Sequence, residues 1–177
     1  MSPPLVAIFG SSAPPPDETE RARRLGRELA EAGFGVLNGG YGGTMEASAA
    51  GAREAGGHTV GVTCRTFTFR SGANPHIREV VEAESLTARI ETLLTRASAY
   101  VALPGGNGTL AELSLAWEHV RRHLLPGPPR PIVAWEEPWR HVLGAFAEGS
   151  RLESGTDGIV WVRSVDEAVA EIRRRLG

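Results

Sequence analysis

The residues with the most chemical promise in this chain are glycines and their small polar neighbours. Three short runs stand out: Gly10-Ser11-Ser12, Gly39-Gly40-Tyr41-Gly42-Gly43-Thr44 and Pro104-Gly105-Gly106-Asn107-Gly108-Thr109. Glycine lets the backbone reach positive φ and approach a ligand with no Cβ in the way. The free N–H groups of such a turn, together with the dipole of a helix that follows it, attract an anion. Thr44 and Thr109 add a hydroxyl at the expected helix starts. One loop of this kind reads equally well as a tight turn before a capped helix. Three of them, each closing an apolar run, point jointly to phosphate binding.

Two charged side chains are candidates to act beside those loops. Glu112 closes the segment Thr109-Leu110-Ala111-Glu112, which also fits the S/T-x-x-E capping box, a pattern that requires no function. Arg89 sits among Leu86, Ile90, Leu93 and Leu94, where it also reads as an arginine snorkelling beside an apolar helical face. On the residues alone both readings of both side chains stand. His119 and His123 share one helical face, but with no third ligand in view we expect no metal. Trp117, Trp135, Trp139 and Trp161 read as core or interface rather than as ligand stackers.

Composition narrows the chemistry further. All 19 basic residues among the 177 are arginine, so the chain has no lysine. That removes pyridoxal-phosphate chemistry, which needs a lysine for its Schiff base, and a Walker-type phosphate loop, which needs one on the phosphates. A net charge of −2 gives no electrostatic reason to expect nucleic acid as a partner. The single Cys64 cannot form an internal disulfide. The opening MSPPLVAIFG has no basic region ahead of a long apolar stretch, and no run approaches about 18 apolar residues. We therefore expect a cytoplasmic protein with no membrane contact.

The elements that must hold these residues alternate along the chain. Buried strands are predicted over 5–12, 35–40, 58–63, 99–106, 131–135 and 158–163, and a weaker one over 78–84. Amphipathic helices are predicted over 17–32, 44–55, 109–124 and 138–147, with another capped by Ser85 and carrying Leu86 through Leu94, and a last one opened by a Ser164-to-Glu167 capping box. The polar stretch 64–76 reads as a loop or flap. Such alternation implies right-handed crossovers and a mostly parallel sheet covered on both faces. The fold class is α/β: one doubly wound, Rossmann-like, three-layer domain spanning 1–177. Ligands in such folds sit beyond the carboxyl ends of the strands, where the glycines lie. The first turn, GSSAPPP, lacks a G-x-G-x-x-G fingerprint, and strand two ends in Asn38-Gly39 where a ribose-binding acid would be expected. NAD is not expected, nor is any other cofactor.

The stretch LTARIETLLTRASAYVALPGGNGTLAEL resembles the LONELY GUY (LOG) family of cytokinin-activating phosphoribohydrolases. The family signature PGGxGTxxE is matched by Pro104, Gly105, Gly106, Gly108, Thr109 and Glu112, and Arg89 falls where the family has its arginine. The resemblance extends to FGSS in the first loop, to the second glycine loop and to REAGGHTVGV. It implies hydrolysis of the N-glycosidic bond of a nucleoside 5′-monophosphate, often with an N6-modified adenine. The glycine loops would hold the 5′-phosphate, Glu112 would act near the ribose, and Arg89 would orient Glu112 or bind the ligand. It also implies a homo-oligomer, most simply a dimer. Two features depart from the family pattern: Ile90 replaces the lysine of an Arg-Lys pair, and the second loop reads GGYGGTMEA. That loop is similar to relatives known only as nucleotide-binding proteins, some of whose kin carry molybdenum cofactor. The alternative is therefore a non-catalytic carrier of a phosphorylated nucleotide or pterin.

Overall fold

Val6, Ala7, Ile8 and Phe9 alternate between the two faces of their strand, yet all four are buried. A strand apolar on both sides needs a layer of helices against each face. The computed structural model, which describes residues 2–67 and 72–177, supplies those layers. Seven parallel strands run β1 (Leu5–Phe9), β2 (Gly35–Asn38), β3 (Thr59–Cys64), β4 (Glu79–Ala83), β5 (Ala99–Ala102), β6 (Ile132–Trp135) and β7 (Ile159–Val162). They are ordered β4-β3-β2-β1-β5-β6-β7 in a single sheet. Val6 lies opposite Val36 on one side and Ala99 on the other, so β1 is central. The expected strand over 78–84 is the β4 edge, and it carries Glu79 and Glu82.

The helices are α1 (Pro16–Glu31), α2 (Thr44–Glu54), α3 (Leu86–Arg96), α4 (Asn107–Arg121), α5 (Glu136–Gly149) and α6 (Val165–Leu176). The chain steps outward from β1 to β3 through α1 and α2, then returns from β4 to β5 through α3. With right-handed crossovers, that reversal puts α3, α4 and α5 on the opposite face from α1 and α2. α6 packs back beside α1, where Arg24 of α1 binds Asp166 at 2.7 Å. α1 and α2 cross almost backbone to backbone. A Cβ on Gly26 would lie 2.0 Å from the Ser48 carbonyl oxygen, and one on Gly51 would lie 1.9 Å from that of Arg23.

Two predicted caps form: Ser85 accepts from the Ala88 N–H, and Ser164 accepts from that of Glu167. The strands end earlier than the apolar runs suggested. β1 stops at Phe9, β2 at Asn38 and β5 at Ala102, leaving the glycine pairs outside the sheet as loops. The expected flap over 64–76 falls partly on residues 68–71, which lie outside the described residues. No helix among the described residues is long and apolar enough to cross a membrane.

Candidate functional site

The sheet order reverses between β1 and β5, and the loops that leave their carboxyl ends diverge there. This is the crevice at which doubly wound sheets take ligands. The first loop carries Gly10, Ser11 and Ser12. The third carries Gly105 and Gly106 into α4, whose first turn is Asn107, Gly108 and Thr109. Gly106, the N-cap, provides no side-chain cap, and no acidic residue sits in the first turn. The leading N–H groups of α4 are thus available to an anion in the crevice.

The second loop is built differently. Asn38, fully buried, donates from Nδ2 to the Met45 carbonyl at 2.8 Å and to Ser48 Oγ at 3.2 Å, while its Oδ1 accepts from the Gly40 N–H at 2.9 Å. Thr44 donates both its N–H and its hydroxyl to the Ser11 carbonyl, each at 2.9 Å. The hydroxyl expected to face a ligand therefore clasps the first loop to the start of α2.

Arg89 and Glu112 meet at the floor of the crevice. Both are buried, at 6% and 9% exposure. Arg89 Nη1 donates to Glu112 Oε1 at 3.2 Å, and Nε donates to the Val62 carbonyl at 2.8 Å. The guanidinium passes directly over Gly39, where a Cβ would lie 1.6 Å from Nη2. Gly39 thus serves as clearance for the cation. The Tyr41 and Phe67 rings lie beside the guanidinium, at 5.7 and 5.9 Å from Cζ. Burial pushes the Glu112 carboxyl up from its ordinary range to about 7, with the Arg89 cation holding back a larger rise. A carboxyl with that poise exchanges its proton near neutrality and is suited to acid–base or charge-stabilising work.

The alternative readings of these two side chains are resolved by the same geometry. α4 begins at Asn107, so Thr109 lies inside the first turn and Glu112 lies beyond it. The S/T-x-x-E spacing does not form a capping box, and the carboxylate binds Arg89 instead. Arg89 does not snorkel to solvent; it points inward along the stripe it shares with Ile90, Leu93 and Leu94.

Around the pair lies a cleft of about 380 Å³. Of the residues singled out from sequence, Gly10, Ser11, Ser12, Gly39, Gly106, Asn107, Gly108, Thr109, Arg89 and Glu112 line it. Gly40, Gly42, Gly43, Thr44 and Gly105 are not among the residues that line it. The structure adds an apolar end that sequence reasoning missed, formed by Tyr41, Met45, Phe67, Leu86 and Ile90. Arg89 is the one cation lining the cleft among the described residues. A cavity with an apolar wall, a few convergent polar groups and one perturbed carboxyl is the form small-molecule sites take. His119 is turned back on its own helix, its Nδ1 2.7 Å from the Leu115 carbonyl. No cluster of metal-capable side chains occurs among the described residues.

Comparison with known proteins agrees with this geometry. Residues 3–125 match the SLOG cluster4 family. The chain is 33% identical over 144 residues to a cytokinin riboside 5′-monophosphate phosphoribohydrolase of Mycobacterium tuberculosis, covering 80% of this chain and 75% of that one. It is 31% identical over 173 residues to the enzyme of the same name from Mycobacterium marinum, covering 93% and 90%. In fold it is similar to the molybdenum cofactor binding protein of Rippkaea orientalis, with a TM-score of 0.78 at 21% identity over 100% of this chain and 99% of that one. The chain belongs to the SLOG cluster4 family, within the wider LOG group.

Proposed function

We propose that this SLOG-family protein hydrolyses the N-glycosidic bond of a purine nucleoside 5′-monophosphate, N6-modified adenine included, to free base and ribose 5-phosphate. The observation that carries the reading is the buried Arg89–Glu112 pair beneath an uncapped, glycine-rich helix start. The 5′-phosphate sits on the N–H groups of Gly106 to Thr109, with Ser11 and Ser12 alongside. That anchorage sets the ribose over Glu112. As the bond from C1′ to the base nitrogen breaks, the anomeric carbon gains oxocarbenium-like charge, which the Glu112 carboxylate stabilises while orienting water. The water oxygen bonds to C1′, and the departing base takes up a proton. Arg89 fixes the carboxylate and favours its ionised form. The base occupies the apolar end beside Tyr41, Met45 and Ile90. The names of the mycobacterial relatives support the same reaction.

The test is chromatography of purified protein incubated with AMP and with N6-isopentenyl AMP. Wild type releases base over many turnovers, and Glu112→Gln loses at least about a hundredfold in rate. No base from wild type with any purine monophosphate overturns the reading.

One observation favours a second reading. Ile90 is 6% exposed and lines the cleft where the LOG pattern has a lysine, so Arg89 stands without a cationic neighbour there. A non-catalytic carrier of a phosphorylated nucleotide or pterin would need only the phosphate loops. Tight stoichiometric binding with no turnover would favour it, and repeated turnover would rule it out.

A further inference from the structure

Tyr41 lies in the second glycine loop, at 6% exposure, beside a cation it does not hydrogen-bond. Its hydroxyl accepts from the Cys64 N–H at 2.8 Å and lies 3.4 Å from the Cys64 carbonyl, to which it donates. That contact pins the ring to the carboxyl end of β3. Its backbone is held as well, because Asn74 Nδ2 donates to the Tyr41 carbonyl at 2.9 Å and the Asn74 N–H donates to that of Gly40 at 2.8 Å. With the ring fixed at both ends, its face lies 5.7 Å from Arg89 Cζ. Phe67 backs it with ring centroids 6.0 Å apart, its own ring 5.9 Å from the same Cζ.

Arg89 needs such support. Its Nε is held by Val62, its Nη1 by Glu112, and its Nη2 makes a 3.9 Å contact with the Met45 sulfur, which is a weak acceptor. A buried guanidinium with so few strong acceptors gains from aromatic faces, an attraction that strengthens when water is excluded. Among the residues lining the cleft, the titratable ones are Arg89 and Glu112, with Tyr41 beside them.

We propose that Tyr41 is a positioning residue: anchored on the Cys64 backbone, it holds the Arg89 guanidinium in the orientation that fixes Glu112. The proposal rests on the hydrolase reading for its kinetic consequence but not for its structural one. Through Asn74 and Phe67 it also makes the β3–β4 crossover part of the support of the site, although that crossover contributes neither member of the charged pair.

The experiment follows the Arg89 Hε proton by ¹⁵N-edited NMR, the signal being identified by its loss in Arg89→Lys. In wild type the Nε–H bonded to Val62 exchanges slowly with solvent. In Tyr41→Leu it exchanges about tenfold faster, the scale of a desolvated cation–π contact. Tyr41→Phe keeps the ring but loses the anchor on Cys64, and falls between them. In a base-release assay the same order appears in kcat; because Tyr41 also borders the base end of the cleft, KM is compared for Tyr41→Phe, which keeps the ring face and leaves KM little changed. Equal exchange in wild type and Tyr41→Leu, both folded by thermal melting, overturns the proposal. Should Tyr41→Leu not fold, Tyr41→Phe carries the comparison, and wild-type exchange there overturns it. The exchange measurement needs no turnover, so absence of hydrolysis would sink the hydrolase reading without deciding this one.

Discussion

Arg89 can reach Glu112 because position 39 has no side chain. A methyl there would lie 1.6 Å from Nη2 and 2.6 Å from the Met45 sulfur. Both obstacles are ends of flexible side chains, so Gly39→Ala should fold while swinging the guanidinium off the carboxylate. We expect base release to fall about a hundredfold, as small misplacements of positioning groups do. Turnover at the wild-type rate would show that the pair is not required. Glu112 also leaves a mark on stability. Its folded pKa of about 7 lies above its ordinary value of 4.5, so the folded state holds the extra proton between those values. The stabilising contribution is complete below about 4.5 and is lost as pH rises through about 7. Ionising the buried group costs on the order of 3 kcal/mol. Melting curves between pH 5 and 8 should therefore decline more steeply in wild type than in Glu112→Gln, and parallel curves would contradict that. Neither the need for Gly39 nor the burial of Arg89 had a full local signature. The glycine was legible as part of a ligand loop, yet what it clears is a side chain fifty positions along the chain. Arg89 shared an apolar stripe, which did not say whether it pointed in or out.

At the scale of elements, the crossing of α1 and α2 sets the second loop against the first. Gly26→Ala would place a methyl 2.0 Å from a carbonyl oxygen, where backbone rather than a flexible side chain must give way. A loss of about 1–3 kcal/mol is expected, read as a lower urea midpoint, and an unchanged midpoint would mean the helices separate freely. Thr44→Val removes one of the two bonds that clasp Ser11. It should raise KM for the nucleotide while leaving kcat nearly unchanged, because Ser11 lies where the phosphate is proposed to sit and Glu112 does not. A fall confined to kcat would contradict that division. The order of strands and helices along the chain was legible from alternating apolar runs, and so was the weaker strand at 78–84, but not its place at the sheet edge. The start of α4 was not: the S/T-x-x-E spacing is the same whether Thr109 precedes the helix or sits in its first turn. The extended backbone of Gly106 decided it. The Tyr41–Phe67 wall was also out of reach, since loop residues have no period from which to infer facing.

Across the whole molecule, a chain without lysine makes all its salt bridges with arginine or histidine. Two of the paired carboxylates, Glu136 and Glu171, are shifted in the opposite sense to Glu112. Arg163 and then Arg140 pull Glu136 down to about 2, and Arg174 holds Glu171 at a similar value. Groups lowered in this way stabilise the fold above their ordinary carboxylate range and lose that effect as pH falls toward 2. The arginine ends of these pairs are exposed to solvent, so each pair contributes little. Stability should be greatest between the two limbs, near the ordinary carboxylate range and below neutrality. The three glycine loops were recognisable from sequence as one site because a parallel sheet brings every strand's carboxyl end to the same edge. Which residues line the cleft and which brace it depended on contacts between loops far apart in the chain. The proposed reaction depends on the Glu112 carboxylate, held by Arg89, performing the chemistry. The most direct test is the pH dependence of kcat/KM for base release from a purine nucleoside 5′-monophosphate by wild type and Glu112→Gln. The wild-type rate should rise with pH through about 7 and level off, with the residual rate of Glu112→Gln lacking that limb. Turnover by Glu112→Gln at the wild-type rate with the same pH profile would contradict it.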